Sequence, residues 1–459
     1  MLDVLLKSFR RLHMVGIGGS GMSGIAEVLL GDGFRITGSD SQESEVTRRL
    51  RTLGAEIFIG HAAAHLHDVE VVVYSNAIKL DNSELVEARS RLIPIIPRAE
   101  MLAELMRMKA GVAISGTHGK TTTTSLVGAV LTEGELDPTV IVGGRLRRIE
   151  GGVRQGEGQI MVVEADEYEK SFLRLSPTMV VVTNVDADHI ECYGSFEALE
   201  EAFVQFANSP PFYGRTIVCL DDIKLRRLLP RLNRPMISYG LSPEADIRAE
   251  SVVFDGIRTT FDVTARGKRC GEVVLPIPGQ HNVLNALAAV AVGLELDVPF
   301  VTIKRALEKF EGVHRRFEIY GEVGGVMIVD DFAHHPSEIA ATLSAAKAGW
   351  KKPLVAVFQP HLFSRTQALA EEFAKALLIA ETVIVLPIYP AREAPVPGVT
   401  SELIVSAARR LGHKGVSSLP DRSLVVDAVK AVVKSGDMVL TIGAGDVYKL
   451  VPMIIDGLK

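Results

Sequence analysis

The sharpest chemical pattern in the chain is a loop rich in glycine and threonine, GTHGKTTTT at residues 116–124. Between a predicted strand and a predicted helix, the backbone N–H groups of such a loop can surround phosphate groups. Lys120 can reach the β- and γ-phosphate oxygens, and the Thr121 hydroxyl suits Mg²⁺. Although Ile114 stands where the common phosphate loop has its first glycine, the flanking elements predict a nucleoside triphosphate site.

A second glycine loop, GIGGSG at residues 16–21, lies near the amino terminus. It follows a predicted strand, opens a helix and fits the GxGxxG pattern, whose glycines let the backbone approach a diphosphate. Asp40 ends the second strand, where dinucleotide-binding folds keep an acid for the ribose. Taken alone the loop favours NAD, and a tight turn that needs glycine for its backbone angles is the alternative. The pattern predicts a diphosphate ligand without identifying it.

Acidic side chains follow two later strands, in VVEADE at residues 162–167 and in NVDADH at residues 184–189. Ligands of open α/β sheets bind at this carboxyl edge, and Mg²⁺ prefers oxygen ligands. Glu164 and His189 are therefore candidate metal ligands. Asp166 and Asp188 fit the same site, but they also fit caps of the helices that follow.

The last third of the chain carries a further group of polar residues: two arginines just past the predicted domain junction, and acids, histidines and a glutamine that end predicted strands, with a third arginine shortly after. A His-His pair alone is typical of a half-exposed turn. Here acids and another histidine lie at neighbouring strand ends, which favours a functional site. The group consists of Arg315, Arg316, Asp330, Asp331, His334, His335, Gln359, His361 and Arg365.

Strands alternate with helical patterns along most of the chain, which predicts an α/β fold with parallel sheets. The length of 459 residues allows about three domains. We expect a Rossmann-like domain over 1–108, a central phosphate-loop domain over 109–313 and a Rossmann-like carboxy-terminal domain over 314–459. Polar and β-branched residues alternate at 246–276 and predict a small antiparallel portion. The predicted strands include 12–17, 34–37, 71–74, 93–95, 111–115, 160–164, 179–184, 216–220, 326–330, 353–358, 382–386 and 438–442, and the predicted helices include 22–30, 98–109, 336–348 and 366–380.

The amino-acid composition indicates which classes of partner and which cellular compartment to expect. The formal net charge is −6 without a long run of like charge, which argues against a nucleic-acid surface. No stretch of about 20 uninterrupted apolar residues predicts a membrane span. The spacing of the three cysteines differs from that of zinc-binding motifs, so we expect free thiols. We expect a soluble cytoplasmic protein without nucleic-acid or membrane partners, a monomer or a weak homodimer.

Taken together, the motifs resemble the Mur ligase family over nearly the whole chain. A run of matches in one order is far more specific than either glycine loop alone. The matching segments are VGIGGSGMSGIAE (15–27), GSD (38–40), GHAAAHL (60–66), YSNAI (74–78), RAEMLAELMR (98–107), GTHGKTTTT (116–124), EADE (164–167), NVDADH (184–189), GQHNVLNALAA (279–289), RRFE (315–318), DDFAHHPSE (330–338) and QPH with SRT (359–366).

The resemblance implies a three-domain enzyme that uses ATP and Mg²⁺ to join L-alanine to the lactyl carboxylate of UDP-N-acetylmuramate. The first domain would hold the uridine diphosphate end of the substrate with Gly18, Gly19, Ser20, Gly21, Ser39, Asp40, His61, Ser75 and Arg98. The second would bind ATP with Gly116, Thr117, His118, Gly119, Lys120, Thr121, Thr122, Asn282 and Asn285. Thr121 and Glu164 would hold one Mg²⁺, and His189 a second.

The third domain would bind the amino acid and close on ATP. The resemblance gives Arg315 and Asp330 to ATP, and His334, His361 and Arg365 to the substrate carboxylate and the amino acid. Together with Lys120, His189 and Arg315, His334 belongs to the implied catalytic set. Either His334 or His189 could serve as the base for the amine.

The chain departs from the family pattern in two places near the implied amino-acid site. Leu362-Phe363 replaces a common Arg-Tyr, and Tyr389-Pro-Ala-Arg392-Glu393 stands where many members carry YAAGE. Either change could alter the choice of acceptor. Three alternatives stay open: a recycling ligase that attaches an intact peptide, an NAD-dependent dehydrogenase, and a phosphate-loop switch protein that ligates nothing.

Overall fold

The structure, a computed structural model, describes residues 9–143, 152–391 and 393–459, without the side chain of Ser20. The chain forms two compact units. Unit 1 comprises Met1–Glu250, Asp262–Val273 and Leu284–Phe310, and unit 2 comprises Ser251–Phe261, Val274–Val283 and Glu311–Lys459. Among the described residues, no helix combines the length and the apolar character that crossing a bilayer requires.

The first sheet of unit 1 has five strands: β1 Arg11–Val15, β2 Arg35–Asp40, β3 Glu56–Ile59, β4 Val71–Tyr74 and β5 Ile95–Pro97. All are parallel, in the order β3–β2–β1–β4–β5. Because this is the order of a dinucleotide-binding half-domain, the predicted Rossmann-like fold is confirmed here. The first strand ends at Val15 and not at Ile17, since Gly16 turns the backbone with a φ of 79°. The helices are α1 Ser20–Gly31, α2 Glu45–Thr52, α3 Ser83–Ser90 and α4 Arg98–Arg107.

The central segment of the chain contributes a second sheet with strands β6 Ala110–Ser115, β7 Thr139–Ile141, β8 Val153–Arg154, β9 Ile160–Glu164, β10 Met179–Val182, β11 Arg215–Cys219 and β12 Met236–Gly240. They lie in the order β12–β11–β10–β6–β9–β7–β8, parallel except for β8. The strand β10 is buried along its whole length, as expected where helices cover both faces. The helices are α5 Lys120–Glu133, α6 Ile190–Tyr193, α7 Phe196–Ala207, α8 Ile223–Leu228, α9 Gln280–Glu295 and α10 Phe300–Glu308.

The antiparallel portion predicted at 246–276 consists of β13 Ile247–Asp255, β14 Arg258–Ala265 and β15 Lys268–Leu275. Two residues connect each strand to the next, and so short a connection is possible only between antiparallel neighbours. In the second turn Arg266 and Gly267 have φ values of 48° and 77°, the backbone conformation that matches the twist of a hairpin.

Unit 2 contains a six-stranded sheet: β16 Glu318–Val323, β17 Val326–Asp331, β18 Leu354–Phe358, β19 Thr382–Val385, β20 Val416–Ser418 and β21 Met438–Ile442. The order is β16–β17–β21–β18–β19–β20, parallel except for the edge strand β16. Buried side chains such as Val329 and Leu440 face one apolar cluster, and Ile328 and Val439 face another, so helices cover both faces.

The helices of unit 2 are α11 Pro336–Trp350, α12 Phe363–Ala368, α13 Ala370–Leu377, α14 Glu402–Arg410, α15 Val425–Val432 and α16 Val451–Leu458. The prediction of one helix over 366–380 is wrong. Two helices replace it, because Leu369 leaves the helical region with a φ of −119° and a ψ of 22°. The first of them also begins at Phe363, directly after Leu362 with a φ of 70°.

Candidate functional site

The phosphate loop connects the buried strand β6 to the helix α5, as the sequence predicts. Gly116 has a φ of 135°, and a Cβ there would lie 2.0 Å from Thr183 Oγ1. Gly119 precedes the helix with a φ of 82°, and its Cβ would lie 2.6 Å from Asn285 Oδ1. Only glycine fits both positions, because the side chains of Thr183 and Asn285 lie where a Cβ would be and because both backbone angles lie in the region that favours glycine.

Lys120 begins α5 and pairs with an acid to which the sequence assigned no role. Its Nζ donates to Glu167 Oε1 at 2.9 Å and Oε2 at 2.8 Å, and to the carbonyl of Gly116 at 2.6 Å. Glu167 is 2% exposed. Burial alone would lower the pKa of Lys120, but the carboxylates of Glu167, Asp166 and Glu164 outweigh it and raise that pKa. The raised pKa favours the charged form of the lysine at this position of the loop.

Thr121 and Glu164 come together beside Lys120. The Thr121 hydroxyl lies 3.1 Å from both carboxylate oxygens of Glu164, and the backbone N–H of Gly143 donates to Oε2 at 2.8 Å. A hydroxyl and a carboxylate next to a phosphate loop are the hard oxygen donors that Mg²⁺ prefers. The residues present therefore fit a divalent cation.

Residues that directly follow strand β10 form hydrogen bonds to the backbone and side chains of the phosphate loop. Asn184 Oδ1 accepts from the backbone N–H of His118 at 2.8 Å, and its Nδ2 donates to the carbonyl of His118 at 2.9 Å. The Thr117 hydroxyl accepts from the backbone N–H of Asp186 at 2.8 Å. These two contacts make Asn184, a residue of the NVDADH motif, a support of the phosphate loop.

His189 lies directly before α6 with a φ of 56°, a left-handed backbone position. Its ring meets Tyr168 edge-on at 5.1 Å, and its Nδ1 lies 3.6 Å from Glu191 Oε1. Within the described part of the chain, the His189 side chain contacts these two residues and Asp188, and it does not contact Thr121 or Glu164. Asp166 and Asp188 accept the backbone N–H groups of Tyr168 and His189, but the residues that directly precede the two helices are Glu167 and His189, so neither acid is the N-cap that the capping interpretation expects.

The remaining residues expected at ATP lie on α5 and α9. Thr122 is buried in the first turn of α5. Asn285 Oδ1 accepts from the Thr123 hydroxyl at 3.0 Å, which places α9 against the phosphate-loop helix. Asn282 donates to the carbonyl of Pro278 at 2.7 Å within unit 2.

The first glycine loop, residues 16–21, forms a direct hydrogen bond to Asp40. Asp40 Oδ2 accepts from the backbone N–H of Gly18 at 2.9 Å, and a Cβ at Gly18 would lie 2.9 Å from the same oxygen. A Cβ at Gly21 would lie 2.9 Å from a guanidinium nitrogen of Arg98, and Ser75 lies against Gly16. The loop, Asp40, Ser75 and Arg98 are thus brought together, with Gly19 directly before α1. The side chain of Ser20 lies outside the described residues.

Ser39 and His61 meet at a buried glutamate that the sequence did not single out. The Ser39 hydroxyl lies 2.6 Å from Glu84 Oε2 and 2.9 Å from His61 Nδ1, and His61 Nδ1 lies 3.1 Å from Glu84 Oε2. Glu84 is fully buried. Burial would raise its pKa, but the His13 ring, whose Nε2 lies 3.5 Å from Glu84 Oε1, and the hydrogen bonds with Ser39 and His65 prevail and lower the pKa to about 2.

In unit 2, Arg315 is held on every side. Its Nε donates to Asp330 Oδ2 at 2.9 Å, and its terminal nitrogens donate to the carbonyls of Gly443 at 2.5 Å and Gly445 at 3.2 Å. The guanidinium lies 5.0 Å from the ring centroid of Phe332 and 4.4 Å from that of Tyr448. Stacking and a planar fork of donors are the uses for which arginine differs from lysine.

His334 and His361 lie near each other, with ring centroids 6.0 Å apart. Burial lowers the pKa of His334 to about 4, and the positive charges of Arg365 and Arg316 act in the same direction against the raising effect of Glu338. The Nδ1 of His334 lies 3.1 Å from the carbonyl of Phe332, so Nδ1 carries the proton and donates. The other nitrogen, Nε2, is left as the basic atom of a neutral ring.

The two departures from the family pattern lie beside this pair. The His361 ring stacks on Tyr389 at 5.8 Å, and Leu362 takes the left-handed backbone position before α12. Ser364 donates to Glu393 through its hydroxyl and its backbone N–H. Arg392 lies outside the described residues. Arg365 follows on α12, and its charge reaches His334.

Three family models match the chain in succession. They are described as Mur ligase family, catalytic domain, over residues 11–110; Mur ligase middle domain, over 114–293; and Mur ligase, glutamate ligase domain, over 315–445. Together the matches extend over most of the chain.

Individual relatives agree with the family models. The UDP-N-acetylmuramate–L-alanine ligase of Geotalea uraniireducens (strain Rf4) is 51% identical over 449 residues, covering 98% of this chain and 98% of the relative. The ligase of the same name from Geobacter sp. (strain M21) is 53% identical over 441 residues, covering 96% of each chain.

Solved structures show the same similarity. A crystal structure of UDP-N-acetylmuramate-alanine ligase from Thermotoga maritima superposes with a TM-score of 0.81 at 31% identity, covering 97% of this chain and 98% of that one. A murein peptide ligase from Psychrobacter arcticus 273-4 has a TM-score of 0.70 at 24% identity over 97% of this chain and 98% of that one, a likeness of fold.

Proposed function

The chain belongs to the Mur ligase family, and from this premise we propose that it joins L-alanine to the lactyl carboxylate of UDP-N-acetylmuramate. The enzyme is an ATP-dependent ligase that forms an amide bond in peptidoglycan precursor synthesis. The observation that carries the proposal is the charged lysine on a phosphate loop with a hydroxyl–carboxylate pair beside it. The relatives that are about half identical over the whole length supply the substrates by their names.

The first step is phosphoryl transfer. The lactyl carboxylate attacks the γ-phosphorus of ATP, which gives an acyl phosphate and ADP. Lys120 offsets negative charge on the transferring group, and glycine backbone N–H groups of the loop bind the β-phosphate. Thr121 and Glu164 would hold Mg²⁺, which when bound neutralises phosphate charge. We assign His189 to a second metal, as the family resemblance implies.

The second step forms the amide. The neutral amine of alanine attacks the acyl carbon, and the tetrahedral product expels inorganic phosphate. His334 is our choice for the base, because its ring is neutral and its Nδ1–H is committed to the carbonyl of Phe332. Nε2 can therefore accept the proton that leaves the amine. His361 and Arg365 are assigned to the carboxylates of the substrate and the amino acid.

The substrate assignments follow the segments of the chain. Residues 1–108 would bind the uridine diphosphate, 109–313 ATP, and 314–459 the amino acid, with Arg315 and Asp330 as further contacts of ATP. In the first segment the Asp40–Gly18 contact supports a diphosphate at the glycine loop. Because ATP and nucleotide-activated sugars are cytoplasmic metabolites, we place the reaction in the cytoplasm.

The test is phosphate release from ATP in the presence of Mg²⁺ and UDP-N-acetylmuramate, with L-alanine, with the tripeptide of a recycling ligase, or with no acceptor. We expect release that depends on L-alanine, and a product heavier than the substrate by one alanyl residue in mass spectrometry. Preference for the tripeptide would replace the proposal with the recycling reaction. Calorimetry should show binding of UDP-N-acetylmuramate without ATP. Tight binding of NAD would instead support the alternative of an NAD-dependent dehydrogenase.

A further inference from the structure

We propose that Glu84 is a positioning residue for the uridine nucleotide: it sets the proton position on His61 and fixes the hydroxyl of Ser39, and through Ser39 it supports the first glycine loop. The inference rests on the proposed function, in which Ser39 and His61 contact the nucleotide end of UDP-N-acetylmuramate. Glu84, Ser39 and His61 form a group of contacting side chains, the Glu84 cluster.

Glu84 reaches the cluster from the start of α3. The side chain of Asn82 accepts from the backbone N–H of Glu84 at 2.9 Å, which fixes where the helix begins. Both carboxylate oxygens are then engaged: Oε2 by Ser39 and His61, and Oε1 by His65 Nδ1 at 2.7 Å. Burial of a carboxylate such as Glu84 costs free energy of desolvation, and folded proteins tolerate it when hydrogen bonds satisfy the lone pairs.

The proton positions in the cluster follow from counting donors. An ionised carboxylate can only accept, so the single hydroxyl proton of Ser39 is donated to Glu84 Oε2. Ser39 Oγ must therefore accept from His61 Nδ1, 2.9 Å away. His61 consequently carries its proton on Nδ1, and Nε2 is the ring nitrogen that remains for a ligand. In the neutral ring Nε2 is an acceptor, which suits an N–H or O–H donor such as the uracil imide or a ribose hydroxyl.

The cluster is connected to the glycine loop by the backbone of Ser39. The carbonyl of Ser39 accepts from the backbone N–H groups of Gly16 at 2.8 Å and Ile17 at 3.0 Å. The next residue, Asp40, accepts from Gly18 at 2.9 Å. Glu84 thus fixes the side chain of Ser39, and the backbone carbonyl of Ser39 in turn binds the first glycine loop.

Exposure separates the roles of the two side chains. The side chain of His61 is 21% exposed and that of Glu84 is 0% exposed. A ligand can reach the histidine and not the glutamate, so Glu84 acts through His61 and Ser39. On the far side, the His65 ring is itself fixed, because it stacks on Phe58 at 4.2 Å with planes 7° apart. The carboxylate therefore has little freedom to move.

The decisive variant is Glu84→Gln, which keeps the shape and replaces one oxygen with an NH₂ donor. Whichever way the amide turns, its nitrogen faces either the Ser39 hydroxyl or His65 Nδ1, both of which donate to Glu84 in the wild type. We expect the Kd of UDP-N-acetylmuramate, measured by calorimetry without ATP, and its KM to rise about tenfold or more. The KM of ATP and kcat should stay within about twofold, and Glu84→Asp, which keeps the acceptor character, should recover part of the loss.

A matched control is Glu70→Gln, which removes another carboxylate that accepts from backbone N–H groups in the same sheet region, those of Arg10 and Arg11. It should change thermal stability without changing the Kd of the nucleotide. Histidine ¹⁵N spectra provide a readout that a merely structural role would not move. His61 should show Nδ1–H in the wild type and a changed proton distribution in Glu84→Gln.

Several outcomes would overturn the inference: a wild-type His61 with its proton on Nε2 alone, or a folded Glu84→Gln variant with unchanged nucleotide affinity. An equal rise in the KM of ATP would overturn it as well. If Glu84→Gln does not fold, Glu84→Asp and the wild-type spectra decide. Failure of the proposed function looks different, since the wild-type protein itself would then not bind UDP-N-acetylmuramate or not release phosphate on addition of L-alanine.

Discussion

Replacing Lys120 with methionine should have two effects of separate origin. The lysine is the cation of the phosphate loop, and among the described residues it is also the only Lys or Arg that forms an ion pair with the Glu167 carboxylate. Lys120→Met therefore removes a phosphate donor and at the same time leaves a carboxylate that is 2% exposed without its cation. Glu167→Gln and the double variant separate the two effects.

The magnitudes differ enough to be measured. Loss of one preorganised donor to the transition state lowers kcat by about 10²–10³. Removal of one partner of a buried ion pair costs about 3–5 kcal/mol, because the other charge stays buried. Removal of both charges is often neutral, so Lys120→Met/Glu167→Gln should regain most of the free energy of unfolding and none of the turnover. As a control, Arg107→Met breaks the exposed pair with Glu104 and should cost less than about 1 kcal/mol.

The assays are urea unfolding followed by circular dichroism, and alanine-dependent phosphate release at saturating ATP. A single Lys120→Met variant that unfolds at the wild-type urea concentration would refute the coupling to Glu167. A double variant with restored turnover would refute the role of Lys120 at the phosphates, even if the stability results came out as expected.

Three further predictions concern metal, nucleotide and pH. Glu164→Gln should raise the Mg²⁺ concentration for half-maximal rate at least about tenfold, while the exposed Glu157→Gln should not; equal titrations would leave Glu164 as a loop support. Asp40→Ala should weaken binding of UDP-N-acetylmuramate in calorimetry, since the Gly18 N–H loses its acceptor, and an unchanged Kd would contradict that contact's role. Burial lowers the pKa of both His281 and His334 from 6.5 to about 4. Between pH 6.5 and pH 4 each of these histidines therefore binds more protons in the unfolded chain than in the folded one. As the pH falls from 6.5 to 4, the free energy of unfolding should decrease by about 3 kcal/mol per histidine. A free energy of unfolding that does not change over this range would contradict the burial effect.

The local patterns of the sequence were sufficient for the fold and for the loops. Gly16 and Gly116 both follow buried strands and precede helices, and the structure places them at turns with φ values of 79° and 135°. Strand periodicity predicted β4 Val71–Tyr74 and β9 Ile160–Glu164 at their observed bounds. These features depend on a few consecutive residues, and for that reason they can be predicted without knowing what packs against them.

The buried acids could not be predicted in the same way. Glu84 lies in SELVEARS, which resembles the exposed start of a polar helix, and its partners Ser39, His61 and His65 are 45, 23 and 19 residues away along the chain. Only the sheet order brings β2 and the start of α3 together. Glu167 was visible as an acid in EADE, but the sequence does not say that the phosphate-loop lysine, 47 residues away, is its partner.

Glu84, Glu167 and Asp330 share a physical role at three sites that the ligands would occupy. Each carboxylate is almost or fully buried, and each holds a polar group proposed to contact substrate: Ser39 and His61, Lys120, or Arg315. A carboxylate that holds such a group in place lowers the entropy lost on binding, because the side chain is already ordered.

Where the group is a donor, as in lysine and arginine, the carboxylate also competes with the phosphate for the same protons. At Lys120 and Arg315 the arriving ligand is itself an anion and can replace or share the carboxylate. At His61 the carboxylate occupies one ring nitrogen and leaves the other, so Glu84 can stay in place while the nucleotide binds. Neutralising Glu84 should therefore weaken nucleotide binding, whereas neutralising Glu167 should release Lys120 towards the phosphates and tighten ATP binding in whatever fraction of the protein stays folded.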